Sequence, residues 1–167
     1  MSAVDLAARI IPGESAAGFQ LGLRLADMDA EVTSARKWGA GDGSLSAAIF
    51  SSSDWLVVDA ADLGQRGEIR IYYGNGAVEL HFSAAGVLYE VSVFSGYEGR
   101  FLDEIAIGGD AAKVREVAEL FFDEGDEMYY PEDGSGFNGI AFLIEEDDGG
   151  AGVESIAGIS VHDWSMR

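Results

Sequence analysis

Apolar and polar residues alternate with a period of two over much of this chain, and short stretches of helical period interrupt the alternation. From Ile69 the pattern runs Ile69, Ile71, Tyr73, then Gly74-Asn75-Gly76, then Val78, Leu80, Phe82. After Ala84-Ala85-Gly86 it resumes with Val87, Tyr89, Val91 and Val93. Alternation places each set on one side of a strand, and Asn-Gly is a strong turn signal. The stretch therefore predicts a three-stranded antiparallel meander with one buried face. A looser version starts at Tyr129-Tyr130, which take the place of Tyr72-Tyr73. It continues with Ile140, Phe142 and Ile144 in place of Val78, Leu80 and Phe82, and ends with Ile156, Ile159 and Val161.

A short strand and a helix precede each meander. Phe19, Leu21 and Leu23 alternate, and Leu25, Met28, Val32 and Ala35 follow at helical spacing, which predicts a helix over 27–38. Asp27, Asp29 and Glu31 near its start and Arg36 and Lys37 near its end suit the helix dipole, and Gly39 suits its stop. Ile105 and Ile107 alternate in the same way. Asp110 then caps a predicted helix over 110–122 with Val114, Val117, Ala118 and Phe121 on one face. The expected fold class is α+β, antiparallel meander sheets with helices on one side, in two tandem strand-helix-three-strand units. At 167 residues the chain fits a single compact domain, 1–167, with an internal repeat of 14–100 on 101–167. An insertion at about 39–67 in the first copy holds "SLSAAIFS" and "DWLVVDA", which read as an added hairpin. Val4, Ala7, Ala8 and Ile11 predict a short N-terminal helix ended by Pro12-Gly13.

Composition narrows the function classes. With no cysteine, disulfides, thiol catalysis and cysteine-based zinc sites are excluded. The opening residues make a poor signal peptide, and no apolar run reaches a membrane span, so a cytoplasmic protein without a membrane partner is expected. Ten basic and 30 acidic residues give a net charge of −20. Residues 1–100 hold 7 basic and 13 acidic residues, a net of −6; residues 101–167 hold 3 and 17, a net of −14. Such a field repels nucleic acid and speeds encounter with a basic partner.

Motifs for catalysis are absent. Serines are frequent, but no G-x-S-x-G elbow occurs, and "GAGDGS" and "GNGAVE" lack the strand–turn–helix setting and the lysine of a phosphate loop. His81 alternates away from the buried face and is expected to face solvent beside Glu79; His162 has Asp163 next to it. "DEGDE" and "EEDDGG" offer oxygen ligands without calcium-loop spacing, so no metal and no cofactor is assigned. A carboxylate-based hydrolase and a metal- or ligand-binding protein are the alternatives to a binding module.

The densest feature is "FFDEGDEMYYPEDGSGF", residues 121–137. Asp123, Glu124, Asp126, Glu127, Glu132 and Asp133 surround Tyr129 and Tyr130, and Glu145, Glu146, Asp147 and Asp148 sit on the next turn. Ten carboxylates on one end of the second half repel one another, and a basic partner would relieve that repulsion. Tyrosines are favoured anchors at such interfaces. This acidic, tyrosine-bearing surface on a lone α+β domain resembles the immunity proteins of bacterial toxin–immunity systems. The resemblance implies a cytoplasmic, non-enzymatic inhibitor that covers a basic toxin domain, such as a nuclease.

Overall fold

The computed structural model describes residues 3–63, 67–146 and 152–167. Its strands are β1 (Ser15–Ala16), β2 (Phe19–Gln20), β3 (Arg36–Trp38), β4 (Leu56–Asp59), β5 (Ile69–Tyr73) and β6 (Val78–Phe82). They continue with β7 (Leu88–Val93), β8 (Leu120–Asp123), β9 (Met128–Pro131), β10 (Ile140–Glu146) and β11 (Glu154–His162). The helices are α1 (Asp29–Ser34), α2 (Leu45–Phe50) and α3 (Ala112–Val117). β1 and β2 form a small hairpin, and the other strands form one sheet in the order β3-β4-β5-β6-β7-β11-β10-β9-β8. All of its pairs are antiparallel except β3–β4. The fold is α+β, and no helix among the described residues is long and apolar enough to cross a membrane.

The meander from Ile69 to Val93 has the expected strands, and Gly74, Asn75 and Gly76 all take the positive φ that its turn demands. Val78, Leu80, Phe82, Leu88, Val91 and Val93 face one core together with Ile140, Phe142, Ile156, Ile159 and Val161. α1 and α3 close this inner face through Val32 and Val114, and Met28, the residue before α1, packs beside them.

The helices are shorter than the spacing predicts. α1 stops at Ser34, and Arg36-Lys37-Trp38 pair with β4, Arg36 opposite Leu56 and Trp38 opposite Val58. α3 stops at Val117, and Leu120-Phe121-Phe122 enter β8. In both places an aromatic stretch gains a sheet partner, and tertiary pairing overrides a weak helical preference. "SLSAAIF" is a helix, α2, rather than a strand, because the Ser44 side chain accepts from the Ala47 N–H as an N-cap. α2 lies on the opposite, outer face of the sheet, where Ala48 packs with Trp38, Leu56, Val58 and Tyr72. The helices are thus not all on one side. Residues 4–10 form no helix either. The Asp5 carboxylate accepts from the Ala7 N–H, a local turn that competes with a helix, and the Tyr97 hydroxyl donates to the Ala8 carbonyl.

The two meanders share a register. Val78, Leu80 and Phe82 pair with Val93, Val91 and Leu88; Ile140, Phe142 and Ile144 pair with Val161, Ile159 and Ile156. Each pairing shifts by one residue at the same place, between His81 and Phe82 and between Leu143 and Ile144. The segments that precede the helices bind the last strand alike. Gly22 N–H donates to Leu88 O and Leu25 N–H to Gly86 O, as Gly108 N–H donates to Ile156 O and Ala111 N–H to Glu154 O. The halves meet at β7–β11, where Ser92 lies opposite Ser160. One alignment shifts: Phe142 pairs with Tyr129 as Leu80 pairs with Ile71, so Tyr129 corresponds to Ile71 and Tyr130 to Tyr72.

Candidate functional site

Beyond the patch that α2 covers, no other α-helix among the described residues packs on the outer face of the central strands, and the short 3-10 turn Trp164–Met166 sets Trp164 at its margin. Alternation brings two rungs of side chains to that face. In one, Arg70 lies opposite His81, His81 opposite Glu90, and Glu90 opposite His162. In the other, Tyr72 lies opposite Glu79, Glu79 opposite Ser92, and Ser92 opposite Ser160. Cross-strand neighbours on one face lie within side-chain reach, so the rungs form a network.

His81 is its centre, and it does not face solvent. It lies on the outer face, but its side chain is only 13 % exposed. Nε2 is 2.7 Å from Glu79 Oε1, and Nδ1 is 3.3 Å from Glu90 Oε2. Glu90 Oε1 also accepts from the hydroxyls of Ser160, at 2.7 Å, and Ser92, at 3.1 Å. Arg70 Nη1 stands 3.9 Å from Glu79 Oε1. Burial pulls the His81 pKa down, but the hydrogen bond to Glu79 and the charges of Glu79 and Glu90 outweigh it, and the net shift is upward. Burial pushes Glu79 up, and His81, Tyr72 and Arg70 overcome it to hold its carboxyl low. Burial, then Glu79, raises the Tyr72 hydroxyl. His81 is hydrogen-bonded to Glu79 through Nε2 and has the Glu90 carboxylate beside Nδ1, a setting that favours its imidazolium form. Such a satisfied network holds a charge pattern in place and is a poor general base.

An open cleft of about 540 Å³ lies over these rungs, with Arg70, Glu79, His81, Glu90, Asp126 and Trp164 among its walls. Arg167 donates from Nε to Glu68 Oε1 at 2.9 Å on its rim and sits 5.8 Å from the Tyr89 ring centre. Burial and the Glu68 charge push the Tyr89 hydroxyl up to about 12. His162 stacks on Trp164 with ring centres 4.4 Å apart and meets Tyr130 edge-on at 5.6 Å. Burial lowers its pKa, its Nδ1 has no partner among the described residues, and a second opening of about 430 Å³ lies beside it. Asp163 does not pair with it; its carboxylate accepts from Ser165 N–H and Oγ–H.

The acidic residues singled out in the sequence divide in space. Asp123, Glu124, Asp126 and Glu127 form the exposed β8–β9 turn. Glu145 and Glu146 are exposed at the same end of the sheet, since Phe142 lies opposite Tyr129 and the strands run antiparallel. Glu132 and Asp133 are exposed at the other end of β9, where Glu132 N–H donates to Glu119 O. Asp147 and Asp148 lie outside the described residues. Six of the eight described carboxylates thus share one end of the sheet, and Glu132 and Asp133 lie at the other. Two of them serve the turn with three bonds: Asp123 Oδ1 accepts from Gly125 N–H, Asp126 Oδ1 from Met128 N–H, and Asp126 Oδ2 from the Tyr130 hydroxyl. Among the described residues no group of three or more His, Asp or Glu could hold a metal ion.

The tyrosines divide too. Tyr129 points to the inner face, with Phe122 at 4.9 Å and the Arg115 guanidinium 5.7 Å from its ring centre. Tyr130 points outward, and Phe121 stacks on it at 5.6 Å and 21°. Burial and Asp126 push its hydroxyl pKa up. The Glu79–His81–Glu90 group escaped sequence reasoning, although His81 and Glu79 sharing one strand face was a usable signal. Glu90 joins them through cross-strand register, which becomes visible only once β6 and β7 are paired.

No family model matches the chain, and neither a curated protein nor a solved structure matches it.

Proposed function

We propose that this protein is a binding module for a basic protein domain, of the kind that immunity proteins provide against toxins in the cytoplasm. The observation that carries the reading is the exposed acidic β8–β9 turn beside the open cleft on the outer face. The cleft sets Glu79, Glu90 and Asp126 beside Arg70, His81 and Arg167 in its walls and runs into that acidic turn, on a chain of net charge −20. A basic domain entering such a field is steered by it, which raises the association rate and makes it fall with salt. The position of His81, hydrogen-bonded to Glu79 and flanked by Glu90, supports a structural charge network over acid–base chemistry. Trp164, 45 % exposed at the cleft, and Tyr130 are the aromatic anchors such an interface favours.

The test uses the products of the genes that flank this one. Each is purified, or its basic C-terminal domain alone where it is large, and titrated calorimetrically against this chain at low and at physiological salt. The expected result is a one-to-one complex whose association slows as salt rises, and survival of cells that co-express the pair. If no flanking product binds even at low salt, the reading is wrong.

A further inference from the structure

The shared register shows what the second half leaves open. Phe121 pairs with Tyr130 as Leu56 pairs with Tyr72, so β8 holds the place of β4. β4 is not an edge: β3 pairs with it, and Ala48 of α2 packs with Leu56 on the outer face. Leu56 is fully buried as a result, whereas Phe121 is 46 % exposed. β8 ends the sheet with no strand beyond it among the described residues. Hydrogen-bonded pairs alternate along an antiparallel ladder. Glu132 N–H donates to Glu119 O, so Phe121 and Asp123 turn their backbone groups toward β9, and Leu120 and Phe122 turn theirs to the free edge.

The two sheet edges differ in the way that matters. β3 carries Arg36 and Lys37, charges of the kind that keep edges from pairing. β8 carries Phe121 and Phe122, 46 % and 48 % exposed, one on each face, with a charge only at Asp123. Exposed Glu116 and Glu119 precede it, and the turn from Asp123 to Glu127 follows it. An open apolar edge that runs into an acidic turn is complementary to an extended segment that is both basic and aromatic. The chain itself places such a segment, Arg36-Lys37-Trp38, on the equivalent edge of its first half.

We propose that β8 is a strand-addition edge, where an extended basic segment of the partner protein pairs with the backbone of Leu120 and Phe122 and lays its side chains over Phe121 and Tyr130. This rests on the basic-partner reading and adds the mode of docking. Main-chain pairing supplies affinity in such complexes, and alternate side chains supply selectivity.

The probe is the peptide of residues 33–40, added to the full chain at low salt and followed by amide hydrogen exchange. With peptide at about ten times its Kd, exchange at Leu120 and Phe122 slows about tenfold, while β6 and β7 keep their rates. The same peptide with Arg36→Glu and Lys37→Glu does not bind. Phe122→Pro removes an outward N–H and abolishes the protection. Phe121→Ser leaves the backbone intact and weakens peptide binding at least tenfold, so a folding defect in the proline variant does not decide the matter. No binding, or protection confined to β6 and β7, overturns the edge assignment. Concentration-dependent self-association lost in Phe122→Pro overturns it too, and makes a second copy the occupant. A flanking-gene product that binds both variants as tightly as the parent chain sinks the edge and leaves the basic-partner reading standing. A peptide that protects Leu120 and Phe122 while no flanking product binds does the reverse.

Discussion

The two halves build the same meander with the same register shift and then use its outer face in opposite ways. Extending the pairing, Arg70, His81 and Glu90 of the first half correspond to Met128, Leu143 and Gly158 of the second. The first set is a charged network; the second is apolar, and Gly158 leaves the room that the Phe94 ring occupies, since a Cβ there would meet it at 2.8 Å. The first half also closes its edge with β3 and α2, while the second ends on Phe121 and Phe122. The inner face is constrained by the core to stay alike, so Leu80 answers Phe142 and Val91 answers Ile159. The outer face carries no such constraint and is where the halves differ.

The comparison is broken most sharply at its centre. His81→Leu leaves the Glu79 and Glu90 carboxylates without their shared cation and is expected to cost about 3 kcal/mol, the usual scale for removing one partner of a buried pair. Denaturant midpoints measure it, and a loss below about 0.5 kcal/mol, typical of a surface site, would mean the rungs are not coupled. Leu56→Ala and Phe121→Ala probe equivalent positions, one closed and one open. The first is expected to cost about 3 kcal/mol as a cavity in a packed cluster, the second under about 1 kcal/mol. Equal costs would show that Phe121 already has its cover.

The two histidines sharpen the contrast through pH. His81 has its pKa raised above the ordinary 6.5, so its contribution is full below that value and is lost as pH rises through the raised one. His162 has its pKa lowered by burial, so its contribution is full above 6.5 and is lost as pH falls through the lowered one. Stability measured against pH should therefore gain an acid limb from His162 and lose its alkaline decline in His81→Leu. His162→Gln should flatten the acid limb alone. A profile unchanged in both variants would remove the electrostatic account of this face.

Much of the inner face was legible in the sequence because period-two alternation and the Gly74-Asn75-Gly76 turn are local signals. Val78, Leu80 and Phe82 and their counterparts Ile140, Phe142 and Ile144 follow from them directly. The helices were less legible. Arg36-Lys37-Trp38 and Leu120-Phe121-Phe122 continue a helical spacing and become strands only because β4 and β9 lie beside them. The site was least legible, since His81 gains Glu90 from another strand, and Glu132 and Asp133 part from Asp123 and Glu124 because β9 runs between them. Charge counting finds an acidic half; only register divides its charges between two ends.

The smallest expected effect separates two costs in the acidic turn. Glu127, in the β8–β9 turn, holds a positive φ of 59°, a conformation that favours glycine. A non-glycine residue there costs about 1 kcal/mol in backbone strain, part of which glycine returns in its greater chain entropy. Glu127→Gly should then stabilise the protein by about 0.5 kcal/mol. Glu127→Gln keeps the strained backbone and removes only the charge beside Glu124 and Asp126. If repulsion within the turn matters, the glutamine variant also gains stability, and its gain shrinks as salt screens the carboxylates. If the glutamine variant is neutral at all salt concentrations, strain is the whole cost. Either result leaves Glu127 locally unfavourable to the fold, and a slower association of Glu127→Gln with the proposed basic partner would show what the residue is kept for.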